Sequence, residues 1–399
     1  MLALRTCYPR SRVDALGLKR RESFPVQPHP IWNSPANARE LGRLLRGREV
    51  AEKSYALSVL DLSPVSTGST SAQALRNTVD LAQLADELGY TRYWLAEHHN
   101  TRLIASSVPE LMIGHVANAT KRIRVGSGGV MLPNHSPLHV AEAFRVLEAL
   151  HPGRIDLGLG RAPGTDTVTA LALRRSRQAV FSDEFPQQLD ELLGFLSDDF
   201  AEEHPFRHVK AMPMDVGSPE IWLLGSSDFS AQLAAKLGLG FAFAHHIQPS
   251  PAIAALRMYR DYFRPSKYFA EPKALVAVSV VCAETEERAA EIARPVELGL
   301  LKLRQGRLGQ LPSIAEATDY PYTAEERQLI ALNRDRVFIG SPGTVRNRLI
   351  ELAERAGVDE IMVTSLIYDH ADRRRSYELL ASTFALASPT AVAVHSTRV

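Results

Sequence analysis

The sequence predicts one closed barrel of eight parallel strands with helices between them, a (β/α)8 TIM barrel with insertions after strands 4 and 7. Three observations predict it. From Tyr55 onward, eight short β-rich runs alternate with helical stretches, the pattern of a parallel sheet built from βα units. Two connections, Ala162 to Met214 and Gly299 to Phe338, are far longer than the rest, and in a barrel both leave from the C-terminal rim, where active sites are built. A length of 399 residues, 45% apolar and 23% charged, suits a large globular domain with extensions.

The first strand is expected over Tyr55–Asp61. A helix follows in which Leu75, Val79, Ala82, Ala85 and Leu88 recur at helical spacing before Gly89 stops it. Tyr93–Glu97 reads as the second strand and Ile123–Leu132 as the third, separated by a helix at Pro109–Ala119. After a helix at Pro137–Leu150 comes the fourth strand, Arg154–Arg161, and a long connection carrying a helix at Gln187–Ser197. Glu220–Ser226 and Gly240–His245 are the fifth and sixth strands, with helices at Phe229–Leu237 and Pro251–Phe263. The seventh strand is Ala274–Ala283, followed by a helix at Thr285–Glu297 and the second long connection. A helix at Thr344–Ala356, the eighth strand at Glu360–Leu366 and a last helix at Arg373–Ala387 complete the barrel.

Residues 1–53 differ from the rest: eleven Lys or Arg against five Asp or Glu, five Pro, and no sustained apolar period. They read as a poorly ordered N-terminal extension to a barrel at 54–399. Pro9 and Arg10 interrupt the one candidate secretory h-region. The whole chain carries 46 Lys plus Arg against 45 Asp plus Glu, so no global field attracts nucleic acid or anionic lipid. The most apolar stretch, near Ala274 to Ala283, is half of the ~20 residues that span a bilayer. Only Cys7 and Cys282 occur, without a CxxC, which points to the reducing cytoplasm.

Four strand ends converge on one mouth if the barrel forms. They carry Glu97-His98-His99-Asn100, Gly126-Ser127-Gly128-Gly129 before Val130, Gly158-Leu159-Gly160-Arg161, and Gly225-Ser226-Ser227. Glycines let backbone approach a flat ligand, and an Arg with hydroxyls at a helix start suits a phosphate. Together they describe a pocket for a large phosphorylated cofactor. Gly158-x-Gly160-x-x-x-Gly164 has one residue too many for a dinucleotide fingerprint. The pairs His98-His99 and His245-His246 cannot both face one metal ion from a strand, since neighbours point to opposite faces. No metal site is therefore expected. A glycosidase would need a second carboxylate at a separate strand end, and the fourth strand ends in Arg161-Ala162-Pro163.

Trp94-Leu95-Ala96-Glu97-His98-His99, Val125 to Pro133, His151 to Arg161 and Pro219 to Ser230 resemble the luciferase-like, flavin-dependent monooxygenases. The opening Leu60-Asp61-Leu62-Ser63-Pro64-Val65 with Gly68 looks like the single-chain bacterial branch. The resemblance runs from about Tyr55 to the final helix. It implies a barrel that binds FMN without a Rossmann domain, and a reaction in which reduced FMN and O2 oxygenate a small organic substrate through a C4a-peroxyflavin. By the same resemblance, Gly128-Gly129 sits where relatives often have a non-prolyl cis peptide under the flavin, with Val130 next to it. Arg161 falls on the arginine that holds the phosphate, and Ser226, Ser227 and Ser230 on the segment that completes that site. His98 falls on the histidine used for proton chemistry, His99 faces away, and His245 takes the place of an aromatic residue beside the flavin. The 299–338 insertion is the expected lid. Implied partners are a small-molecule substrate, O2 and a separate NAD(P)H-dependent flavin reductase, with a homodimer allowed and neither nucleic acid nor membrane involved. The alternatives on the same barrel are an F420-dependent oxidoreductase and a non-catalytic flavin-binding protein.

Overall fold

The computed structural model describes residues 53–387, apart from 182 and 308. The N-terminal extension expected over residues 1–53 lies, but for residue 53, outside the described residues. Among the described residues there are ten strands: β1 (Ala56–Asp61), β2 (Arg92–Leu95), β3 (Arg124–Ser127), β4 (Val130–Met131), β5 (Ile155–Gly160), β6 (Glu220–Gly225), β7 (Gly240–Ala244), β8 (Ala274–Cys282), β9 (Val337–Gly340) and β10 (Glu360–Thr364). All pair in parallel, and β10 pairs with both β1 and β8, which closes the expected eight-stranded barrel.

Two strands depart from expectation. The third predicted strand breaks at Gly128-Gly129, so β3 and β4 pair with β5 one after the other. The last residues of the second insertion form β9, which pairs along the far half of β8 from Ser279 to Cys282. The preceding helix also runs further than predicted, from Glu286 to Arg304 through Pro295. A proline inside a helix costs ~3 kcal/mol, but Leu298 and Leu301 beyond it are fully buried with Ala317, which offsets that cost.

Helices surround the barrel because each buries one stripe on it. In the helix Ser71–Leu88 the buried residues include Ala74, Thr78, Leu81, Ala82 and Ala85, a face rotated slightly from the predicted one, which leaves Leu75 and Val79 half-buried. Thr70 caps its start by accepting from the Gln73 N–H, and Gly89 at φ 84° ends it.

The barrel interior is layered. Leu60, Trp94, Trp222, Leu275, Ala277 and Met362 form an apolar layer, with Trp94 and Trp222 packed edge to face at 5.5 Å. Toward the strand starts the filling is ionic. Asp156 Oδ2 accepts from Arg92 Nη1 and Trp94 Nε1, both at 2.8 Å, while Arg124 binds Asp156 Oδ1 and Glu360 binds Arg92 Nε. A Cβ at Gly126 would lie 2.5 Å from Asp156 Cβ, so this layer needs glycine there. This ionic layer fills the barrel toward the strand starts.

Candidate active site

At the C-terminal end of the strands lies a cavity of about 240 Å³. Its floor is apolar, made by Leu60, Trp94, Ala242, Ala277 and Met362. One wall is backbone: Gly128-Gly129, joined by a cis peptide bond. A Cβ at Gly128 would lie 2.5 Å from Leu60 Cδ1, and one at Gly129 2.7 Å from the Gly158 carbonyl oxygen. Side chains are thus excluded, and a flat group can lie against peptide planes.

His98 enters this cavity just beyond β2, in a stretch held by specific bonds. Its backbone N–H donates to Ser106 O at 3.0 Å, and Ser106 Oγ donates back to Ala96 O at 2.5 Å. Ring Nδ1 lies 3.3 Å from Gly164 O. Burial holds the His98 imidazole below its ordinary value, with the Gly164 contact and the Glu97 charge opposing. His99 points elsewhere: its Nε2 lies 2.8 Å from Glu97 Oε1. The two side chains diverge as expected, although β2 ends at Leu95 and strand alternation is not the cause. Glu97 is the cause. Fully buried, it also takes His135 Nε2 at 2.9 Å and the Met131 N–H at 2.8 Å. Burial pushes its carboxyl up, but His135, His99 and the Met131 N–H outweigh it and the net direction is down. His135 moves oppositely, raised by Glu97 against its own burial.

The other end of the cavity is polar. Arg161 lies just past β5, its guanidinium 4.1 Å over the Phe229 ring and 3.4 Å from Asp183. Ser226, Ser227 and Ser230 face it from the turn and first residues of the helix Asp228–Leu237. Ser227 occupies the N-cap position, yet its hydroxyl makes no capping bond. A helix start with an unused cap hydroxyl, beside an arginine, suits an anion. The residues present therefore fit a flat ring carrying a phosphate.

Of the predicted residues, His98, Gly128, Gly129, Arg161, Ser226, Ser227 and Ser230 line one cavity. Two do not. Val130 is fully buried in the core between strands and helices, pairing with Leu159. His245 packs its ring 5.7 Å from Phe338, outside the cavity, where burial first and then His246 depress its pKa to about 4. The reason is a turn: β7 stops at Ala244, and the His245 N–H already bonds back to Phe243 O. That turn brings His246 to the cavity instead. The expected lid also differs, since no described residue of 299–338 lines the cavity. That insertion is tied to the loop after β1, with the Thr67 N–H donating to Leu311 O and the Leu311 N–H to Val65 O. Among the described residues, no group of three or more His, Cys, Asp and Glu is arranged to hold a metal ion, and no helix is long and apolar enough to cross a membrane.

A barrel with this mouth is matched over residues 56–360 by the model of the luciferase-like monooxygenases, and the chain belongs to that family. It is 42% identical over 330 residues to a luciferase-like monooxygenase of Escherichia coli, covering 83% of this chain and 97% of the relative. It is 36% identical over 327 residues to the N-acetyl-S-alkylcysteine monooxygenase of Bacillus subtilis, covering 82% and 97%. Among solved structures, apo-MsnO8 is similar at 40% identity and TM-score 0.77 over 84% of this chain and 99% of that one. The fold is shared with the oxygenating constituent of 3,6-diketocamphane monooxygenase from Pseudomonas putida, determined with FMN, at 20% identity and TM-score 0.63 over 83% and 98%. The chain is a monooxygenase-family enzyme.

Proposed function

We propose that this protein binds reduced FMN and uses O2 to oxygenate a small organic substrate, the FMN being supplied by a separate NAD(P)H-dependent flavin reductase. One observation carries the reading: a single cavity joins the imidazole of His98, an apolar floor with a backbone wall, and an anion-suited end at Arg161. Arg161, Ser226, Ser227 and Ser230 would hold the phosphate, and Gly128-Gly129 would face the ring. When bound in reduced form, FMN supplies the two electrons with which O2 is activated. The chain's own residues do the rest. Leu60, Trp94 and Met362 keep water from the reacting atoms, which is where stray protons would divert the reaction. His98, kept neutral by burial, exchanges a proton with the ligand through the nitrogen not turned to Gly164. The absence of a nicotinamide fingerprint in the sequence favours a separate reductase, and the scarcity of cysteine favours the cytoplasm.

Absorbance titrations with FMN, riboflavin and F420 test the cofactor. FMN should bind at least about tenfold more tightly than riboflavin, the scale of one charge-assisted phosphate contact. Tighter binding of F420, with substrate oxidation in the absence of O2, would overturn the reading. The thioether of an N-acetyl-S-alkylcysteine, named for the Bacillus subtilis relative, is the first substrate to assay for O2 uptake.

A further inference from the structure

His246 lines the same cavity as His98, and the surrounding structure fixes which of its nitrogens can meet a ligand. Its ring Nδ1 lies 3.1 Å from the carbonyl oxygen of Ala277, and its backbone N–H donates to that same oxygen at 3.2 Å. A carbonyl oxygen only accepts, so Nδ1 carries the ring hydrogen and Nε2 keeps a free lone pair. His98 has the same arrangement, its Nδ1 set against Gly164 O at 3.3 Å. Two imidazoles in one apolar-floored cavity are thus each anchored by Nδ1 to backbone. We propose that His246 is a second proton-accepting residue of this site, presenting an unprotonated Nε2 to the bound ligand together with His98.

Electrostatics agree with the geometry. Burial lowers the His246 pKa, the Ala277 contact opposes this, and the nearby His98 lowers it further. His98 bears on His246, and His246 in turn bears on the adjacent His245, whose pKa is lowered to about 4. For His98, the Glu97 charge opposes the lowering by burial. Burial thus lowers the pKa of both imidazoles that line the cavity.

The inference rests on the proposed monooxygenation. In that reaction one atom of O2 joins the substrate, and the other leaves as water with two protons, while reduced FMN is oxidised by two electrons. A neutral imidazole beside the reacting atoms can take one of those protons at Nε2 and return it to the departing oxygen, so the residue ends unchanged.

Imidazole nitrogen NMR on 15N-histidine protein tests this without turnover. In ligand-free protein His246 should be the Nδ1–H tautomer, with a titration midpoint below ~6.5 that rises in His98→Asn. Adding oxidised FMN should shift the His246 Nε2 resonance. In His246→Asn, the amide can still donate to Ala277 O but puts no base where Nε2 was. FMN affinity should stay within a few-fold, while product per reduced FMN falls about 10²-fold and H2O2 takes its place. An Nε2–H tautomer, a resonance untouched by bound FMN, or a variant coupled like wild type would overturn the proposal. Failure of the wild-type protein to bind FMN would instead defeat the functional reading, and the tautomer measurement would still judge His246 in the free protein.

Discussion

Glu97 supports the His98 end of the cavity without entering it, since its carboxylate ties together His99, His135 and the Met131 N–H. Removing a buried charge's partners or the charge itself typically costs 3–5 kcal/mol, so Glu97→Ala should lower unfolding stability by about 3 kcal/mol. The pH dependence has two limbs. Glu97 has a lowered folded pKa, so its contribution is present above the ordinary carboxylate value and lost as pH falls through the folded one. His135 has a raised one, so its contribution is complete below the ordinary imidazole value and lost as pH rises through the folded one. Denaturant unfolding across pH should therefore show this cluster contributing most at mildly acidic pH, with Glu97→Ala flattening both limbs. His98→Ala and His99→Ala should separate chemistry from stability. The first should leave FMN affinity within a few-fold and slow oxygenation about 10²-fold; the second should lose about 1–2 kcal/mol of stability and keep its coupling. Uncoupling by His99→Ala and not His98→Ala would reverse the assignment. That His98 and Arg161 line the cavity was readable because both stand at barrel strand ends; the roles expected of them came from the family resemblance. His246 was not, because a turn one residue after β7 decides which histidine of an adjacent pair faces the cavity.

Among the elements, the helix Asp228–Leu237 is the one whose start the ligand is expected to complete. Replacing an N-cap serine by alanine usually costs about 1 kcal/mol, but the Ser227 hydroxyl makes no cap bond here. Ser227→Ala should accordingly change the melting temperature of the free protein little and reduce the additional stabilisation given by saturating FMN. A large loss in the free protein would show that the hydroxyl serves the helix. Element-level legibility followed the same physics. The alternation of strands and helices was visible because the barrel strands are short runs rich in apolar residues, such as Ala274–Cys282, set between amphipathic helices. The strand β9 was not, because Val337-Phe338-Ile339-Gly340 is only four residues and is followed at once by Ser341-Pro342 and a helix. Long insertions do not announce which side of the mouth they cover: the second one is bonded to residues 65–67 and none of its described residues lines the cavity, whereas Ala162, at the start of the first, reaches the rim.

For the whole molecule, β10 closes the barrel, the ionic plug fills it below Trp94, and the cavity lies at the mouth. Asp156→Ala would leave Arg92 and Arg124 without their shared buried carboxylate and Trp94 Nε1 without an acceptor. A loss of about 3–5 kcal/mol in denaturant unfolding is expected, and a near-neutral result would show that the plug is dispensable. The central claim concerns the other end, where Arg161 is expected to grip a phosphate. Comparing FMN and riboflavin binding in wild type and Arg161→Ala tests it most directly, because the two ligands differ only by that group. The account predicts a loss of about 10- to 150-fold for FMN, matching about 1.5–3 kcal/mol for a hydrogen bond to a charged group, with riboflavin almost unaffected. Equal losses for both ligands would mean that Arg161, with its Phe229 stacking and Asp183 pair, serves the fold and that the phosphate lies elsewhere.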